Sequence, residues 1–287
     1  HLASVIEASH DAVASADLDD IIRSWNKGAE SLFGYTAEEA IGSPVSIIVP
    51  KRAYAARNRR IDRIKNGENI EPFETTRLTK SGEIIHVSLS FSPVHDARGH
   101  LIAVAAIARD ITKRKVAEQQ LKVRIQQLQA ISDIGIMALV SSDLKKMFGM
   151  AVEHLARGLN VEFAKVLELR PEGELVLVAG VGWRKGLVGK ATVSGDTDSQ
   201  AGYTLSVAKP VLVENLDKES RFNGPPLLHH HKVTSGLSTV IRGDNGRPYG
   251  VLGAHTRKKR RFTNHDVHFL QSVANILTTA VQRKNYE

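Results

Sequence analysis

The sequence contains no cysteine. That excludes disulfides, thiolate zinc sites and cysteine nucleophiles. Aromatic residues make up only 5% of the chain, and no window reaches the roughly 18 consecutive apolar residues that span a bilayer. The first residues lack a basic segment followed by an apolar one, so no signal peptide is expected and the chain reads as cytoplasmic. A P-loop, H-E-x-x-H, G-x-S-x-G and the kinase motif set are also missing. No catalytic centre is therefore expected within this chain.

What is present has the balance of an ordinary globular protein, with 42% apolar and 24% charged residues. A length of 287 residues implies two domains, each large enough to bury its own core. The chain opens on His1 rather than Met and stops at Glu287 inside a helical pattern, as expected of a piece of a longer protein. The net charge is +8, and its only dense run is Arg257-Lys258-Lys259-Arg260-Arg261. A nucleic-acid partner needs charge gathered on one face, and a short run between a strand and a helix does not supply that. No nucleic acid is expected to bind.

Val13 to Ala16 and Ile21 to Trp25 form a strand pair around the turn Asp17-Leu18-Asp19-Asp20. Asn26 to Phe33 reads as a short helix stopped by Gly34, and Thr36 with Glu39 opens another through a capping box. Tyr54 to Ile64 is helical. Three strand candidates follow: Phe73 to Thr79, Ile84 to Pro93 and Leu101 to Asp110. From Lys113 to Gly135 the apolar positions Leu121, Ile125 and Leu128 follow the four-then-three spacing of a coiled-coil seam. A surface helix packed on a neighbouring domain is the alternative. Ser142 then caps a helix to Leu159. Strands are expected at Val161–Leu169, Leu175–Gly180, Val211–Glu214, Val233–Ile241 and Tyr249–His255, with a loop-rich section from Gly182 to Gln200. A final helix runs from Asn264. The fold class is α+β: a five-stranded antiparallel sheet, a linker helix, then a sheet of about six strands, both flanked by helices.

Several of these stretches carry a resemblance. Asp17-Leu18-Asp19, Trp25-Asn26, Ala29-Glu30, Phe33-Gly34-Tyr35, Glu39 to Gly42, Lys80-Ser81-Gly82-Glu83 and Arg109-Asp110-Ile111-Thr112 occur in the order and spacing of a PAS domain, which residues 1–112 resemble. Residues 136–287 resemble a GAF domain. The matching stretches there are Leu175 to Gly182, Lys209 to Leu216, Ser220-Arg221-Phe222, Pro248 to Leu252 and Arg261-Phe262-Thr263, with residues 113–135 as linker. The resemblance implies a cytoplasmic homodimeric sensor from a histidine kinase or a cyclic-di-GMP enzyme, with its effector domain outside this chain.

It also implies where signals pass. Asp110 and Thr112 are expected to hold the linker helix to the sheet, and Asp110 suits an N-cap. Leu121, Ile125 and Leu128 are the expected relay along the helix. The ligand stays unknown. Flavin-adduct and covalent bilin versions need a cysteine and are excluded. Haem-binding relatives place a histidine where this chain has Ala55, Ala56, Arg57 and Asn58, so haem is not expected. His10, His86, His95 and His100 read as solvated or capping residues. His229-His230-His231 cannot all face one metal, so no metal is expected. Gly195, Asp196 and Ser199 lie where cyclic-nucleotide binders build a pocket, and equally suit a mobile loop. The leading reading is a sensor that binds a small ligand or partner. The alternatives are a ligand-free dimerisation scaffold and, more remotely, nucleic-acid binding through Arg257–Arg261.

Overall fold

The computed structural model describes residues 6–141 and 143–286, which divide into two compact units between Gln120 and Leu121. In the first unit, β1 (Ala12–Asp17) and β2 (Ile22–Trp25) form the expected hairpin. Helix α1 (Lys27–Phe33) begins at Asn26, whose side chain accepts from the Ala29 N–H, and ends at Gly34. That glycine sits at φ +80°, a left-handed conformation it adopts without penalty. Helix α2 (Ala37–Ala40) carries the complete Thr36–Glu39 capping box. Two short 3-10 turns between Pro44 and Ala53 lead into α3 (Tyr54–Lys65), and β3 (Phe73–Leu78), β4 (Ile84–His95) and β5 (Leu101–Asp110) follow. All neighbours pair antiparallel in the order β2-β1-β5-β4-β3. Alternation in β4 sends Ile85, Val87, Leu89 and Phe91 into the core. They meet Trp25 and Phe33, whose rings lie 5.3 Å apart.

Helix α4 (Thr112–Val140) is longer than its sequence pattern implies. Gly135 does not end it. Ile134 and Ala138 are buried in the second unit's core, and that burial outweighs the roughly 1 kcal/mol a helical glycine costs. Helix α5 (Leu144–Leu159) starts from Asp143, whose carboxylate accepts from the Lys146 N–H. Ser142, the expected cap, lies outside the described residues. The second sheet has six strands in the order β8-β7-β6-β11-β10-β9. They are β6 (Phe163–Leu169), β7 (Glu174–Val181), β8 (Thr192–Ser194), β9 (Val211–Val213), β10 (Ser235–Arg242) and β11 (Pro248–Thr256). One face packs on α5 and α8 (Asn264–Tyr286) through Leu155, Leu252, Leu270 and Leu277. The other is covered by α6 (Gln200–Val207), α7 (Pro226–His230) and the Trp183 loop. Strand β8 lies within the stretch that reads as loop-rich, Gly182 to Gln200, and helices α6 and α7 lie in stretches to which the sequence assigned no element.

Candidate functional site

A cavity of about 60 Å³ lies inside the first unit, between the sheet and α3. Its walls are largely apolar, with Ala14, Ile22, Phe33, Leu89 and Phe91 among them, yet two arginines reach it. Arg57 comes from α3 and is buried at one end of the cavity. Its guanidinium donates to both carboxylate oxygens of Asp20, at 2.8 and 2.7 Å. Asp20 occupies the β1–β2 turn at φ +66°, a conformation Asp tolerates better than most residues.

Arg77 is different. It faces inward from β3, opposite Ile85 of β4, and is only 4% exposed. Its one hydrogen bond runs from Nη1 to the carbonyl of the adjacent Thr76, at 2.9 Å. No carboxylate pairs with it among the described residues. Burial first, then the charges of Arg57 and Arg60, push its pKa down to about 10. Arg60 itself stacks on the Phe73 ring at 3.9 Å. Of these three guanidiniums only Arg57 pairs with a carboxylate among the described residues. An uncompensated buried charge costs several kcal/mol.

The sheet leaves this cavity through β5 and enters α4. The Ile111 N–H donates to the His86 carbonyl at 2.9 Å, while Thr112 Oγ1 accepts the His86 N–H at 3.0 Å. Asp110, the last residue of β5 and paired with Val87 of β4, accepts the Thr112 N–H on Oδ1 at 2.7 Å at the start of the helix. Sequence reasoning missed a second clamp. Glu74 of β3 binds Arg114 at 2.5 Å and also contacts Lys115. These hydrogen bonds hold the Glu74 carboxyl below its ordinary range. Arg109 pairs with Asp11 at 2.8 Å, tying β5 to the start of β1. Further along α4, Leu121 and Leu128 are 61% and 58% exposed, with Ile125 between them also exposed. The opposite stripe, Gln127, Ala130, Ile134 and Ala138, is buried in the second unit.

Other candidate residues have structural explanations. His231 is buried, with Nδ1 2.8 Å from the Leu227 carbonyl and Nε2 accepting the Arg184 N–H, whereas His229 and His230 are exposed. Ser199 caps α6 by accepting from the Gly202 N–H. The Arg257–Arg261 run is not gathered on one face. Arg257 lies over Phe163, Arg260 binds Asp266 and the Leu159 carbonyl, and Arg261 pairs with Glu214. No group of side chains that could hold a metal occurs among the described residues. No helix among them is long and apolar enough to cross a membrane. The alternation of β3 from Phe73 marks position 77 as inward, and pairing decides what surrounds Arg77 there.

Residues 6–116 match the family model described as PAS fold, and residues 143–281 match the GAF domain model. The methanogenesis regulatory histidine kinase FilI of Methanothrix harundinacea is 25% identical over 189 residues, covering 64% of this chain and 21% of the relative. The signal transduction histidine-protein kinase AtoS of Escherichia coli is 24% identical over 142 residues, covering 49% and 22%. The chain therefore spans about a fifth of the length of these curated relatives. Among solved structures, the PAS domain of a Colwellia psychrerythraea protein is 30% identical, covering 39% of this chain and 95% of that one, with a TM-score of 0.37. PAS and GAF domains are sensory rather than catalytic, and the histidine-kinase relatives support a signal-sensing regulatory role. The chain belongs to the PAS fold family over residues 6–116 and to the GAF domain family over residues 143–281.

Proposed function

We propose that this chain is the cytoplasmic input portion of a homodimeric signalling protein, with the PAS cavity as a receptor for a small anion. The observation that carries this reading is Arg77: a buried guanidinium that borders the cavity and has no carboxylate partner among the described residues. A carboxylate or similar anion in the cavity would supply the missing counter-charge and draw Arg57 and Arg77 together. Because β3 and β4 also carry the Glu74 and His86 contacts to α4, a shift in either strand reaches the helix start directly. Thr112 and Asp110 are then relay residues because they fix where the helix begins. The change passes along Leu121, Ile125 and Leu128 to an effector domain outside this chain, such as a histidine kinase.

Isothermal titration calorimetry with acetate, and separately with inorganic phosphate, tests the receptor. Wild-type protein should bind one of them, and Arg77→Met, which keeps the volume and removes the charge, should abolish the heat. Equal binding by both proteins, or no binding to the wild type, would overturn the reading. The exposed Leu121–Ile125–Leu128 stripe lies opposite the buried one, an arrangement suited to a second copy. Sedimentation equilibrium should give a dimer for the wild type and a shift toward monomer for Ile125→Glu. A wild-type monomer at high concentration would overturn the homodimer.

A further inference from the structure

The GAF unit holds a second set of basic groups without counter-charges. The covered face of its sheet is floored by glycines: Gly180 of β7 and Gly253 of β11 flank Lys165 of β6, and Gly236 of β10 pairs with His255 of β11. The His255 ring fills the room these glycines leave. A Cβ at position 236 would lie 2.5 Å from its Nδ1, and one at position 253 would lie 2.9 Å from its Nε2. His255 is 0% exposed, and neither ring nitrogen has a hydrogen-bond partner among the described residues. Lys165, 2% exposed, reaches toward the Trp183 ring, with Nζ 5.6 Å from its centroid, and has no acceptor or carboxylate partner there.

The polar neighbours make no bond to either group. Gln200 Nε2 donates to Ser238 Oγ, and Thr204 Oγ1 bonds both the Gln200 backbone carbonyl and Ser238 Oγ. Burial holds Lys165 down at about 7. Burial, then the Lys165 charge, holds His255 well below the usual imidazole range. A surface cleft of about 400 Å³ is lined by Arg184, Lys232 and Arg257 with His230 and His231, and no acidic residue is among its lining. The Trp183 ring neighbours both places, its centroid 5.0 Å from that of His231 and 6.0 Å from that of His255.

We infer that the GAF unit binds the carboxylate of a small organic acid between Lys165 and His255, reached from the basic cleft past Trp183. Two buried basic groups suit the two oxygens of one carboxylate, and their hydrogen bonds to it become charge-assisted once they are protonated. The surrounding wall is apolar and aromatic, from Trp183, Phe163, Leu227 and Leu228, so the acid carries an apolar body. The cleft raises the local concentration of anions. This site is independent of the PAS cavity and does not rest on the reading of Arg77.

Trp25 and Trp183 are the only tryptophans, so a Trp25→Phe background leaves Trp183 as the sole indole reporter beside the site. Its fluorescence should be titrated with acetate, butyrate and benzoate at constant ionic strength, with inorganic phosphate as a further arm. A saturating change is expected, tightening from acetate to benzoate, with phosphate weaker. Lys165→Met should weaken it at least tenfold. His255→Gln, which keeps a polar side chain, should also weaken it, and it serves if Lys165→Met does not fold. Arg77→Met should leave it unchanged, which separates this site from the PAS cavity. No saturating change in the Trp25→Phe protein, an unchanged response in the folded Lys165 and His255 variants, or loss of the response in Arg77→Met would each overturn the inference. Phosphate binding more tightly than every carboxylate would overturn the ligand class.

Discussion

The two units each bury a basic side chain that has no carboxylate partner among the described residues, and they resolve the cost differently. In the PAS unit the residue is Arg77, whose pKa falls only to about 10, so it stays charged at neutral pH. In the GAF unit it is Lys165, held at about 7, so a large fraction of the amine is neutral at the same pH. The contrast follows from the side chains. A guanidinium spreads its charge over a planar group and does not release its proton, whereas an ammonium is a compact, strongly hydrated charge that gives up its proton when desolvated. A buried arginine therefore makes a standing demand for an anion. A buried lysine makes a conditional one, because an arriving anion and a proton stabilise each other.

Substitution breaks the comparison most sharply at Arg77. Arg77→Met removes an uncompensated buried charge and should raise the stability of the ligand-free PAS unit by about 1–4 kcal/mol. Urea unfolding monitored by Trp25 fluorescence, in a Trp183→Phe background, checks this. A loss of stability would mean that Arg77 is a structural residue rather than a receptor group.

The pH dependence of the GAF unit comes next. Lys165 has a folded-state pKa of about 7, against 10.5 for the ordinary side chain, so the folded state binds fewer protons than the unfolded one in that window. Stability should therefore rise with pH from about 7 to 10, by at most about 1.4 kcal/mol per unit, as far as this group is concerned. Lys165→Met should flatten the rise, while Arg77→Met leaves it in place. Denaturant unfolding of the three proteins across that range is the measurement.

Smaller effects belong to the junction between sheet and helix. Thr112→Val removes the acceptor of the His86 N–H and should cost about 1 kcal/mol of local stability, read as faster hydrogen exchange in the first turn of α4. The Glu74 contacts to Arg114 and Lys115 supply a still weaker clamp at the surface. Because Glu74 has a depressed pKa, its contribution is present above the ordinary carboxylate pKa and is lost as pH falls through the lowered value. Protection factors of residues 112–118 should fall as pH drops through the lowered Glu74 pKa in the wild type and depend less on pH in Glu74→Gln.

Much of the framework could be read from the chain before any contact was known. Asn26, Thr36 with Glu39, and Gly34 act within a few residues of themselves, so their caps and turns are visible as spacing. Strand β4 of the first sheet follows the alternation of its side chains, whereas β6, β10 and β11 of the second, covered on both faces, are buried along most of their length. Helices α6 and α7 and the three-residue β8 were hidden because they are short and depend on contacts elsewhere. Gly202 in α6 illustrates this. A Cβ there would lie 1.9 Å from the Asp196 carbonyl oxygen, so the glycine answers a close approach rather than a turn. Gly135 misled in the other direction, since its local preference ends helices but the burial of Ile134 and Ala138 carries α4 past it.

The candidate sites were less legible than the fold. Arg77 and Lys165 look in sequence like interruptions of strands, and only pairing decides what surrounds them. Arg77 lies across from Ile85, with Arg57 brought in by α3, and Lys165 lies between Gly253 and Gly180. The sequence by itself determined the order of elements, their caps and the two families, because these depend on interactions within a few residues and on patterns that repeat locally. Only the tertiary structure decided which cations are buried without a partner, because desolvation is set by every element packed around a side chain and by none of them alone.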